Sequence, residues 1–228
     1  MAAKKKSTQS PIPGGHDKNN PNQNLWTRHG LDDVYYQRET QVNFLSLMIG
    51  LAAGALLTQF YAVVQQVQAS RWQLVLFFIA SILLLINNWA QTSWGTLVLK
   101  WPISIPMLVP QFIGNFVMSI MCLLVTEPAG WMAAAGLVII PTLYIQFYFM
   151  RTGSWKHFSP TRIKEIKSGL VVYFFWMLMA FAAAIHLYFV PTQSVEIFWG
   201  LVALLCSIIS LIIQHKGMER ERLQFEIP

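Results

Sequence analysis

The sequence predicts an all-α, polytopic integral membrane protein with six transmembrane helices and both termini in the cytoplasm. Three observations carry that expectation. Of 228 residues, 55% are hydrophobic and only 11% are charged, against roughly 25% charged in soluble domains. Charge is withdrawn from long stretches: between Trp72 and Met150 only Lys100 and Glu127 carry it, and between Gly169 and Gln214 only Glu196 does. Apolar runs of about 20 residues, the length that crosses a hydrocarbon core of ~30 Å as a helix, recur at about 44–65, 72–89, 105–126, 129–150, 169–190 and 195–214.

Basic residues orient the chain. Lysine and arginine collect in cytoplasmic loops, and a cytoplasmic N-terminus puts every one of them except Arg71 on that side: in the leader, at Lys100, in the loop 151–168 and in residues 215–228. The net charge of +6 therefore reads as a topology signal, and no nucleic-acid partner is expected. Cys122 and Cys206 each sit inside an apolar run, where closer clusters would be needed for a disulfide framework or a zinc site. No metal and no cofactor are expected.

Residues 1–24 combine Lys4, Lys5 and Lys6 with prolines, glycines and many amides. Such a composition cannot bury enough apolar surface to offset its ordering entropy, which predicts a disordered cytoplasmic tail. Residues 25–43 mix aromatic and charged side chains, and Gly30-Leu31-Asp32-Asp33 supplies acidic residues suited to a helix start. They predict an interfacial segment leading into span one, with Trp26, Tyr35 and Tyr36 at headgroup depth. The first apolar run opens only near Asn43, so span one is expected to stay as an anchor.

Span one carries Ser46, Gly50 and Gly54 at four-residue intervals. Small residues so spaced form a groove that lets another helix approach closely. Gly200, Ala203, Ser207 and Ser210 make a second such stripe on span six. Glu127-Pro128 closes a tight hairpin between spans three and four, and Pro141 removes a backbone donor within span four. Ser159-Pro160-Thr161 resembles a helix start, with Pro160 in the first turn. The loop bearing Arg151, Lys156, Arg162, Lys164 and Lys167 offers candidate contacts to lipid headgroups. Residues 215–228 predict a cytoplasmic C-terminal tail.

The connection from Asn87 to Asn115 departs most from the apolar pattern, with prolines at 102, 106 and 110 and paired amides at each end. Were 102–110 helical, the carbonyls of Val98, Pro102 and Pro106 would lack amide donors and could hold a polar solute beside Gln111 and Asn115, as broken helices do in transporters. Because proline disfavours helical geometry in the residue before it, the favoured reading starts span three at Pro106 or Pro110, where a first-turn proline is tolerated. Lys100, Trp94 and Trp101 then lie at the inner headgroup layer.

No hydrolase, zincin or phosphate-loop pattern occurs in the chain, and none of the six spans holds an Asp, Glu, Lys or Arg away from its ends, whereas coupled transporters place such groups on the ion path. The expected function is a non-enzymatic subunit or scaffold of a larger assembly in a bacterial inner (plasma) membrane, in contact with the bilayer and with other membrane subunits or copies of itself. The alternative is a small channel or facilitative transporter with a polar path drawn from Asn87, Asn88, Gln111, Asn115, Gln146 and His186. The two readings divide on whether Gln111 and Asn115 face the interior without protein partners for their amides.

Overall fold

The computed structural model describes residues 31–97, 105–152 and 160–224. Among these residues the regular secondary structure is all helical: α1 (Leu31–Gln68), α2 (Leu74–Leu97), α3 (Ile105–Leu123), α4 (Pro128–Thr152), α5 (Pro160–Phe189) and α6 (Gln193–Gln224). The chain divides into two compact units, Met1–Gln37 and Arg38–Pro228. Only the opening turns of α1 are described in the first, and all that follows concerns the second. The expected disordered tail 1–24, Trp26, Lys100, Trp101 and Lys156 lie outside the described residues.

Five helices are long and apolar enough to cross a membrane, over Gln41–Gln68, Leu74–Ser93, Pro128–Tyr148, Lys167–Phe189 and Gln193–Glu219. The apolar part of α3, Leu108–Leu123, is shorter. The run expected over 105–126 is helical from Ile105 but stops at Leu123. Pro106 occupies the first turn and Pro110 lies one turn further in, while Leu124 to Glu127 form the turn into α4. Elsewhere the helices outrun the expected spans. Nothing in residues 31–43 breaks a helix, and α1 starts at Leu31; α5 starts at Pro160, where the Ser-Pro-Thr pattern predicts it; α6 continues beyond Gln214, with His215 and Glu219 paired at 3.4 Å one turn apart.

Each short connection has a local cause. Helix α1 ends in a Schellman arrangement: Ser70 takes the left-handed conformation at φ 69°, and the Arg71 amide reaches back to the Gln66 carbonyl at 2.8 Å. Pro128 opens α4 where its missing donor matters little, and the Glu127 carbonyl accepts from the Trp131 amide at 2.8 Å. Thr192 caps α6: its hydroxyl accepts from the Val195 amide at 3.4 Å and its carbonyl from the Glu196 amide at 2.9 Å.

Consecutive helices α3, α4 and α5 pack as neighbours, and α2 lies along α6. Small residues set these close approaches. A Cβ on Gly114 of α3 would stand 3.6 Å from Pro141 of α4, one on Gly136 of α4 would stand 3.1 Å from the Phe181 ring of α5, and one on Gly200 of α6 would stand 3.0 Å from Leu76 of α2. The centre is built on Phe77 and Trp131, whose rings meet edge to face at 5.3 Å. The Trp131 indole donates to Ser81 Oγ at 2.8 Å, and that hydroxyl donates to the Phe77 carbonyl. A buried indole donor is thereby satisfied, as an apolar interior demands. Helix α1 leans on this core through Ile49, Ala52, Leu56 and Val63, with Phe44 stacked on Phe112 and Phe60 against Phe78. Only 22–33% of each spanning window is buried within the protein, so most of the apolar surface, including Leu57, Phe175 and Ile185, is left for lipid.

Candidate functional site

Helix α2 distributes polar contacts to three neighbours from one turn. Asn87, Asn88 and Gln91 fan out over about a quarter of the helix circumference. Asn88 donates to Asn115 Oδ1 of α3 at 2.7 Å, Asn87 donates to Ser210 Oγ of α6 at 3.0 Å, and Gln91 is hydrogen-bonded to the Tyr173 hydroxyl of α5. Interhelical hydrogen bonds in a bilayer contribute roughly 0.6–2 kcal/mol each, and an unmet amide there costs more.

From Asn115 the contacts continue across α3 to α1. Gln111 and Asn115 lie one turn apart, both buried, on one face. Gln41 donates to Gln111 Oε1 at 3.1 Å, Asn115 donates to the Gln111 carbonyl at 2.9 Å, and Ser119 donates to the Asn115 carbonyl at 3.1 Å. Gln111 and Asn115 therefore face the interior, and their amides have protein partners. The Asn115 side chain, in particular, has both a donor and an acceptor contact within the protein.

At the opposite end a charged clamp fastens the α1–α2 turn to the start of α6. Glu196 is buried and accepts from Arg71 Nη2 at 3.0 Å on one oxygen and from Gln73 Nε2 at 2.6 Å on the other. Gln193 adds a bond to the Ser70 carbonyl at 3.2 Å. The carboxylate also sits in the first turn of α6, where the helix dipole favours negative charge.

The six residues of the expected polar path do not form one lining. Asn87 and Asn88 border a cavity of about 140 Å³ between the α2/α6 pair and helices α3, α4 and α5. Gln111 and Asn115 belong to the amide chain toward α1. Gln146 is half-buried near Gly169, with its carbonyl oxygen buried and unpartnered. His186 lies at an exposed edge, where its Nδ1 accepts from the Trp199 indole at 3.1 Å. Apart from Asn87 and Asn88, the cavity takes polar side chains from Gln91, Thr142, Tyr173, Ser207 and Ser210. Gln91 and Tyr173 escape a reading of the sequence, although Gln91 stands one turn beyond Asn87 on the same face. Nothing in the sequence ties Gln41 to Gln111 or Gln73 to Glu196.

The two small-residue stripes also differ. On α6, Gly200, Ala203 and Ser207 are buried, Ser207 donates to the Ala203 carbonyl at 2.8 Å and Ser210 meets Asn87. On α1, Ser46 and Gly54 are half-buried and Gly50 is exposed, and a Cβ on Gly50 or Gly54 would meet nothing within 4 Å. The expected contact of that stripe with another helix is therefore not made within the described part of this chain, because α1 turns Leu45, Ile49, Ala52 and Leu56 inward instead.

Among the headgroup candidates, Arg151 is exposed in the last turn of α4, and Lys164 and Lys167 are exposed along the first turns of α5. Arg162 lies in the first turn of α5. Cys122 and Cys206 are free thiols. No protein-family model, characterised protein or solved structure matches the chain.

Proposed function

We propose that this chain is a non-enzymatic, six-span protein of a bacterial-type inner membrane, with both termini in the cytoplasm, acting as a subunit or scaffold of a larger membrane assembly. In this reading α3 forms the sixth, short span, and the Gly50/Gly54 face of α1 receives a helix of another membrane protein. The observation that carries the reading is that open face: helices in lipid associate by close backbone approach at small residues, and beyond the adjoining backbone of α1 no described atom stands within 4 Å of a Cβ placed there. The bonding of the amides supports it as well. Gln111 and Asn115 bind protein groups, which suits helix-to-helix adhesion better than solute coordination. His186 accepts from the Trp199 indole at its Nδ1, and Ser207 and Ser210 are engaged with Ala203 and Asn87, which supports a role without catalysis.

Oxidative crosslinking tests the partner. With cysteine introduced at Gly50 or Gly54, crosslinking in native membranes is expected to join the chain to a different polypeptide. A crosslink only between copies of the chain replaces that partner with a second copy, and no crosslink at either position removes the proposal. For topology, cysteine at Ser154 is expected to react with an impermeant maleimide only after the cytoplasmic face is opened; reaction on intact cells contradicts the orientation.

Asn87 and Asn88 at the cavity favour a second reading, a small channel or facilitative transporter. Solute flux by the purified chain alone in liposomes, abolished by Asn115→Leu at normal expression, would put that reading first.

A further inference from the structure

Where α4 and α5 pack together they leave an open apolar groove, which no other described helix lines. Ile140, Leu143, Tyr144 and Phe147 of α4 border it on one side, and Leu170, Val171 and Phe174 of α5 on the other. Leu143 and Leu170 are half-buried and the other five are exposed. None of the seven is charged.

Helical spacing ties this groove to the basic residues at its end. On α4, Ile140, Tyr144, Phe147 and Arg151 follow one another every three or four positions, which puts them on one stripe. On α5, Lys164, Lys167, Val171 and Phe174 repeat the same spacing. The connection at 153–159 is too short to run back along α4, so the two helices are antiparallel, and Arg151, Lys164 and Lys167 gather at the same mouth of the groove. All three are exposed. Glu165, two positions before Lys167, falls on the opposite side of α5 by helical spacing.

The mouth also lies at the right depth. The apolar window of α4 ends at Tyr148 and that of α5 begins at Lys167, so the three cations stand at one boundary of the bilayer. Tyr148, whose ring stacks on Tyr144 at 6.3 Å, is of the residue type enriched at headgroup level. From Arg151 to Ile140 the stripe rises about 16 Å, half of the ~30 Å hydrocarbon core. Groove and cations together therefore match one leaflet.

We infer that this groove is a binding site for an anionic glycerophospholipid, with an acyl chain between the α4 and α5 stripes and the phosphate at Arg151, Lys164 and Lys167. Charge complementarity selects the headgroup, and the apolar channel leading up to the cations sets the site apart from a basic loop that only orients the chain. It is independent of the assembly role, since none of its residues lies on the Gly50/Gly54 face of α1.

Native mass spectrometry of the full chain in detergent tests it, with phosphatidylglycerol and phosphatidylcholine of identical acyl chains as probes. The native chain is expected to hold phosphatidylglycerol at least tenfold more tightly. Each cation near a membrane surface contributes about fivefold, so Arg151→Gln, Lys164→Gln and Lys167→Gln should each weaken phosphatidylglycerol by that factor and leave phosphatidylcholine unchanged. Lys216→Gln, an exposed cation of α6, should alter neither. Val171→Trp, which obstructs the groove with the cations intact, should weaken both lipids. Glycerol phosphate, the headgroup without chains, should not displace phosphatidylglycerol at equal concentration; displacement would make this a free-anion site and overturn the inference. Equal retention of the two lipids by the native chain overturns it too, as does a preference that survives loss of all three cations or binding undiminished by Val171→Trp. Should a variant fail to fold, the two lipids and glycerol phosphate on the native chain still decide.

Discussion

On α6, small residues at 200, 203 and 207 repeat every three or four positions, much as Ser46, Gly50 and Gly54 do on α1, yet the two stripes meet opposite surroundings. A Cβ at Gly200 would lie 3.0 Å from Leu76 and 3.2 Å from the Phe77 ring, whereas one at Gly50 or Gly54 would touch nothing within 4 Å. The difference lies in what flanks each stripe. The α6 stripe is pinned at both ends, to the α1–α2 turn by Glu196 accepting from Arg71 and Gln73 and to α2 by Ser210 accepting from Asn87. The α1 helix is pinned through Gln41, and its bulky apolar residues take the inward side, leaving the glycines turned away. Spacing alone marks a face that permits close approach. Directional bonds beside it decide whether the chain itself fills that face.

The strongest way to break the contrast is to give Gly200 a side chain. Gly200→Val drives two methyl groups into Leu76 and Phe77, and overpacking of this kind destabilises by about 1–3 kcal/mol or more. A lowered unfolding midpoint in detergent is the expected result, and an unchanged one would mean that α2 and α6 are not in close contact. Next in size is the clamp. Arg71→Leu leaves a buried carboxylate with one partner fewer. Because the arginine side chain is itself 38% exposed, the loss is discounted for solvent screening to about 1–2 kcal/mol, and Glu196→Gln in the same background is expected to recover part of it. Recovery distinguishes the stranded charge from simple loss of arginine packing. The smallest effect belongs to the amide chain: Asn88→Leu removes the bond to Asn115 and is expected to lower stability by about 1 kcal/mol, read by the same denaturation. A stabilised protein would show that the asparagine pair is held there at a cost, as a functional group would be.

Much of this architecture is legible in the sequence because the hydrophobic requirement of a bilayer is written in composition. The apolar runs, Pro160 at the opening of α5, and the hairpin at Glu127-Pro128 all follow from short-range rules. The length of α3 is harder to read, since Pro106 and Pro110 permit several starting points. What sequence does not convey is pairing between distant polar residues. Glu196 stands out as the lone charge of its region, but its partners lie more than a hundred positions away in the chain, and the Asn88–Asn115 bond depends on how α2 and α3 rotate about their axes. The same holds for the cavity: Gln91, Tyr173 and Trp199 are ordinary residues of three different helices until the fold brings them to one space.

The account rests on the open face of α1, and the most direct measurement is the particle mass of the chain extracted from native membranes in a mild detergent, wild type against Gly50→Val/Gly54→Val. Both substitutions enter free space, so monomer stability is expected to change by no more than about 0.5 kcal/mol. The account predicts that the wild type sediments as a complex with a stoichiometric companion and that the double variant sediments at the mass of the chain alone, equally well folded. A wild type found alone, or a double variant that keeps its companion, would contradict it.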